Sequence, residues 1–178
     1  MKPLRLMIAL LVGALVLLGC SSGATELSAE DEIAIYSAVV RQVAGPDDTF
    51  GGTLAKPILY IVRHTDDAAG DPGATRAEPA ALSEEVQEEV TAALGDLPSE
   101  IVWIDSREDV EFDPDTGALA DGGVIITVGN IQRQDGGEVQ VAGSIYVAGL
   151  AAGGKTYVLQ EQDGQWVVTG TTGVEWIS

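Results

Sequence analysis

Apolar residues change their spacing several times along this chain. Leu6 to Leu18 is a continuous apolar run broken only by Gly13. From Ser28 to Ala44 the spacing becomes helical, with Ile33, Tyr36, Val40 and Val43 on one face. Ser28 stands as N-cap with Asp31 three residues on, an imperfect capping box, and acids crowd the first turn. Gly45-Pro46 stops this helix, and Asp47 to Lys56 reads as a loop turning at Gly51-Gly52. A second helix is predicted from Ser83, with Glu84 and Glu85 in its first turn, Val86, Val90, Ala93 and Leu94 on one side, and Gly95 as its C-terminal cap.

Strands show a shorter period and β-branched content. Ile58 to Val62 and Ile101 to Asp105 are predicted strands, each followed by an acidic loop, Thr65 to Pro79 and Arg107 to Gly123. In the last third, Val124–Ile131, Val139–Leu150, Lys155–Gln162 and Gln165–Thr172 read as consecutive strands. Asp163-Gly164 is the strongest hairpin signal, and Asp135-Gly136-Gly137 and Gly153-Gly154 mark the other turns. Such short gaps require antiparallel pairing. The expected fold is therefore α+β: a curved antiparallel sheet ending in a four-strand meander, with about two helices packed on one face. Element order over residues 28–178 resembles the nuclear transport factor two-like and cystatin-like folds, which host enzymes, ligand binders and adaptors alike.

The N-terminal run has the order of an export signal, because Lys2 and Arg5 precede it. Leu17-Leu18-Gly19-Cys20 at its end resembles the lipobox of bacterial lipoproteins, with Leu18 where Ala or Ser is commoner. That resemblance implies cleavage between Gly19 and Cys20, and acylation of Cys20. Two or three acyl chains anchor stably where one does not. The chain then divides into a signal peptide (1–19), a lipidated cysteine with a short tether (20–27) and a single domain (28–178). A tether of this length reaches only ~25–30 Å, which keeps the domain close to the bilayer. Cys20 is the only cysteine, so no disulfide is expected.

Charge narrows the partners. The formal charge is −19, and removal of residues 1–19 takes Lys2 and Arg5 but no acid, leaving 7 basic and 28 acidic side chains and a charge of −21. Nucleic acid is excluded as a partner because its binding surfaces need clustered Lys and Arg. Anionic lipid repels such a domain, so membrane attachment falls to the lipid. No sequence feature calls for a cofactor.

Four groups of residues suggest chemistry, each with a plainer structural reading. Leu59-Tyr60-Ile61-Val62-Arg63-His64-Thr65 resembles the strand and Arg-His-Gly opening of the histidine phosphatases, with Thr65 in place of glycine. Those enzymes use a second histidine, and His64 is the only one here. His64 has the intrinsic pKa of a general base that Asp66 or Asp67 would orient, or it is a strand-end histidine beside a solvated loop. Asp113, Asp115 and Asp121 occupy positions 1, 3 and 9 of a calcium-type loop, but position 5 lacks a ligand, position 6 lacks glycine and Val124 stands at position 12. Asp66, Asp67 and Asp71 face Asp105, Glu108 and Asp109 if the two strands are neighbours, a set able to hold a metal or share protons. Trp103, Trp166, Trp176, Tyr146 and Tyr157 line either a ligand pocket or the core.

The expectation from sequence is an exported, lipid-anchored domain that binds a protein or small ligand without catalysis. An enzyme with a pocket at His64, Asp66 and Asp67, or a structural envelope component, are the alternatives.

Overall fold

The computed structural model describes residues 27–178 apart from Ala74 and Arg76. The expected export signal, Cys20 and the expected tether before Leu27 lie outside the described residues. The described chain forms two helices and a sheet of seven strands: α1 (Ala29–Ala44), β1 (Ile58–Val62), α2 (Glu84–Ala93), β2 (Glu100–Ile104), β3 (Val124–Val128), β4 (Gln132–Arg133), β5 (Val139–Ala148), β6 (Ala151–Gln162) and β7 (Gln165–Ile177). This is an α+β domain with an open sheet. None of its helices is long and apolar enough to cross a membrane.

Both helices begin at their serines. The Asp31 N–H donates to Ser28 Oγ at 3.1 Å and the Ser28 N–H donates back to the Asp31 carboxylate at 3.1 Å, so the box closes with an aspartate. The buried stripe of α1 is Ile35, Tyr36, Val39, Val40 and Val43, whereas Ile33 is only half-buried. In α2 the stripe is Val86, Val90 and Leu94 at i, i+4 spacing, and Ala93 falls outside it, exposed. That helix is capped at Leu94 rather than Gly95, because the wholly buried Leu94 side chain fixes the last turn against the core.

The sheet order is β2-β1-β3-β5-β6-β7, with β4 beside β5. From β3 onward the pairing is antiparallel as expected, but β1 runs parallel to both neighbours, Leu59 lying beside Ile101 and Val124. The sheet is thus mixed. Its parallel half follows from connection length: β1 reaches β2 through α2, and β2 reaches β3 through residues 105–123, long enough for the chain to return and re-enter in the same direction.

Two further expectations are corrected. The strand predicted from Val124 to Ile131 stops at Val128, because the Asn130 N–H donates to Asp67 Oδ1 at 2.8 Å. Pairing resumes at β4 with four residues spanning three of β5, a bulge (Val128 opposite Gly143, Gln132 opposite Gln140). Gly153-Gly154 lies inside β6, and the turn is at Gly149-Leu150. A Cβ on Gly154 would stand 2.0 Å from the Ala69 carbonyl oxygen and 2.6 Å from Trp176 Nε1, so these glycines clear space for a crossing segment. Asp163-Gly164 makes the predicted tight hairpin, with φ of 53° and 78°.

Alternation along the strands separates two apolar layers. Leu59, Ile61, Ile126, Val141, Ile145, Tyr157 and Leu159 face the helices in one continuous core. On the other face, Ile104, Leu119 and Ile125 pack with Tyr60, Val62, Val110, Phe112 and Tyr146, so the 105–123 connection covers the back of β1 and β3.

Candidate functional site: the cleft beyond β1

The chain leaving β1 turns toward β2, and the chain leaving β3, its other neighbour, turns toward β5. Strands that are parallel and whose exits diverge open a crevice beyond their carboxyl ends. A cleft of about 590 Å³ lies there, lined by His64 and Asp66 after β1, Asp105 and Arg107 after β2, Thr127 of β3 and Glu78 of the acidic loop.

Each wall is fixed by local chemistry. His64 forms a bridge with Ala81, flanked by hydrogen bonds from the Thr65 N–H to the Ala80 carbonyl and from the Leu82 N–H to the Arg63 carbonyl. Thr65, which stands in place of the phosphatase glycine, is buried and structural. Its hydroxyl donates to Asn130 Oδ1 at 2.8 Å and accepts the Ala80 N–H at 2.8 Å. Asp66 accepts the Ala68 N–H at 2.9 Å and caps the short 3-10 turn at 67–69. Asp67 is buried and turned to Asn130, accepting its N–H at 2.8 Å and its Nδ2 at 3.3 Å. Both carboxylates offered as orienters of His64 are therefore engaged in building the loop.

Arg107 was not singled out by sequence reasoning. Its guanidinium lies 3.9 Å from the ring centre of Tyr146 and 5.2 Å from that of Phe112. Those rings meet edge to face at 5.9 Å, and the Tyr146 hydroxyl donates to the Gly117 carbonyl at 2.7 Å. Arg41, Lys56, Arg63 and Lys155 are each held by carboxylates. Arg107 instead rests on aromatic faces, which attract the cation without neutralising it. A positive group held this way in a cleft is suited to receive a carboxylate or phosphate oxygen.

The structure does bring the two acidic clusters to the same end of the sheet, but it does not pool them. Asp105 pairs with Arg63 at 3.0 Å, and the Asp109 carboxylate accepts the N–H groups of Ser106 and Asp105, which hold its carboxyl below the ordinary range. Among the described residues no three His, Cys, Asp or Glu side chains converge to hold a metal. Asp113 is a turn former, its Oδ1 accepting the Asp115 N–H, the Thr116 N–H and the Thr116 hydroxyl. Asp115 itself is exposed. Asp121 accepts the Tyr60 hydroxyl, which pushes the Tyr60 pKa up to about 12.

The aromatic residues are tied into packing. Trp103, Trp166 and Trp176 donate their indole N–H groups to Thr91 Oγ1, Asp31 Oδ1 and the Ala69 carbonyl, at 2.9, 2.8 and 2.9 Å. Tyr157 is buried in the main core and Tyr146 supports Arg107.

No family model, curated protein or solved structure matches this chain.

Proposed function

We propose that this chain is an exported lipoprotein, cleaved before Cys20 and lipid-anchored there, whose folded domain binds a small ligand with an anionic group in the cleft beyond β1. The observation that carries the binding role is Arg107, a cation with aromatic rather than acidic partners in the cleft that His64 also lines. Asp66 caps the short turn after β1 and Asp67 is buried against Asn130, so both carboxylates help to build the wall of the cleft that His64 lines. The same reading takes the C-terminal strands as a curved meander behind the site. Register shifts between β5 and β6 and at two places between β6 and β7 support that curvature.

The test is an NMR titration of the mature protein in nanodiscs with inorganic phosphate and, separately, acetate. We expect saturable shifts of the Arg107 Nε–H and the His64 ring, abolished by Arg107→Gln with the remaining spectrum unchanged. Absence of saturation at both groups with either anion contradicts the reading.

A further inference from the structure

β2 ends the sheet, and no described strand lies beyond it. Its residues, Glu100 to Ile104, run in unbroken parallel register with β1. The bonds at its two ends, Glu100 N–H to the Pro57 carbonyl and Arg63 N–H to the Ile104 carbonyl, both 2.9 Å, fix which residues face β1. Successive residues of a strand direct their backbone groups to opposite sides. Glu100, Val102 and Ile104 therefore pair with β1, and Ile101 and Trp103 turn outward. Arg63 Nη2 donates to the Trp103 carbonyl at 3.0 Å, and Asp109 accepts the next outward N–H, that of Asp105, at 2.8 Å. The Ile101 N–H and carbonyl and the Trp103 N–H have no partner among the described residues.

The two edges of the sheet differ. Free edges invite pairing with another chain, and bulges, lysine, proline or a covering element normally blunt them. β7, at the far edge, is broken by register shifts opposite Gly154–Thr156 and Val158–Leu159 of β6. β2 contains no bulge, lysine or proline, and it is apolar from Ile101 to Ile104. A groove of about 520 Å³ lies beside it, lined by Ile101 and Trp103 of the strand and by Glu84, Glu88 and Thr91 of α2. Ile101 and Trp103 pack on the main core yet are only half-buried, so the strand edge and its apolar side chains are open together.

Charge decides what fits there. The Arg63 guanidinium is paired with Asp105, whereas Glu84 and Glu88 are exposed and form no ion pair among the described residues. A strand added beside Ile101 and Trp103 places its matching side chains on the same face as theirs, toward α2. A second copy of this chain would bring its own Glu84, Glu88 and Glu100 to that face, in a chain of formal charge −19. Lysine or arginine at the matching positions meets the two free carboxylates instead.

We propose that the β2 edge takes up an extended basic peptide segment as an added strand. Its main chain pairs with Ile101 and Trp103, and its cationic side chains lie against Glu84 and Glu88. The groove shares no lining residue with the cleft beyond β1, so either site stands without the other.

The mature protein, labelled with ¹⁵N in phosphatidylcholine nanodiscs, is titrated with acetylated and amidated Lys-Val-Lys-Val-Lys, its counterpart Glu-Val-Glu-Val-Glu, and the lysine peptide with every backbone nitrogen methylated. Saturable shifts of the Ile101 and Trp103 amides, with slowed hydrogen exchange at both, are expected with the lysine peptide alone. The double variant Glu84→Gln, Glu88→Gln, on the exposed face of α2, is expected to weaken that binding at least fivefold. Equal affinity for the glutamate or the methylated peptide, no saturation with the lysine peptide, or unchanged affinity in the double variant overturns the proposal. Ile101 and Trp103 amides that shift with protein concentration, without peptide, assign the edge to a second copy and overturn it as well.

Discussion

Asp47 and Asp48 are adjacent, and each holds one of the two lysines that follow Cys20, Lys155 and Lys56 respectively. The Lys56–Asp48 pair is buried on both sides, so removing one charge strands the other in the core. Asp48→Asn is expected to cost about 3–5 kcal/mol in urea unfolding at neutral pH. Burial pushes the Asp48 carboxyl up, but Lys56 and the backbone N–H groups of Gly52 and Phe50 outweigh it and hold the pKa below the ordinary value. A lowered carboxyl pKa stabilises above the unfolded-state value, about 4, and the gain disappears as pH falls through the folded-state value. The stability gap between wild type and Asp48→Asn should therefore narrow as pH falls below about 4. A gap that stays constant to pH 3 contradicts this account of the loop. In the sequence the scarcity of lysine was visible, but its pairing was not, because Lys155 is 108 residues from Asp47. His64 and its neighbours stood out as a motif. Arg107 carries no such signal, since Phe112 and Tyr146 come together around it only when residues 105–123 fold across the back of the sheet.

At the scale of elements, local signals were sufficient where the determinant was local. Ser28 and Ser83 start the helices, β-branched runs make β1 and β2, and Asp163-Gly164 turns the last hairpin. What escaped was set by distant contacts: Asp67 drawing Asn130 out of the β3 ladder, and Ala69 crossing over Gly154. A Gly-Gly pair reads as a turn unless the crossing segment is known. These two roles of glycine separate experimentally. Gly154→Ala places a methyl against backbone, and should cost about 1–3 kcal/mol or more through overpacking. Gly164→Ala meets no neighbouring atom but retains φ of 78°, and should cost only about 1–2 kcal/mol from the left-handed backbone. Unfolding midpoints of the two variants compare them directly, and an equal or smaller loss at Gly154 contradicts the close approach.

For the whole molecule, geometry and charge bear on how the domain is held. α1 has 16 residues, about 24 Å of helix at 1.5 Å per residue, running from Ser28 near Trp166 to Gly45. The proposed tether therefore enters at the Trp166 end of α1. With 28 acidic side chains and no membrane-length helix among the described residues, the proposed lipid at Cys20 is what would keep the domain at an anionic bilayer. Changing Cys20 to serine should move the protein from the membrane fraction or leave an uncleaved precursor there, without altering the thermal midpoint of the folded domain. The most direct measurement is the intact mass of the protein extracted from membranes of the expressing bacterium. A chain beginning at Cys20 and heavier by a diacylglyceryl group, with or without a further acyl chain, is the predicted result. A chain that retains residues 1–19, or one cut elsewhere with an unmodified Cys20, would contradict it.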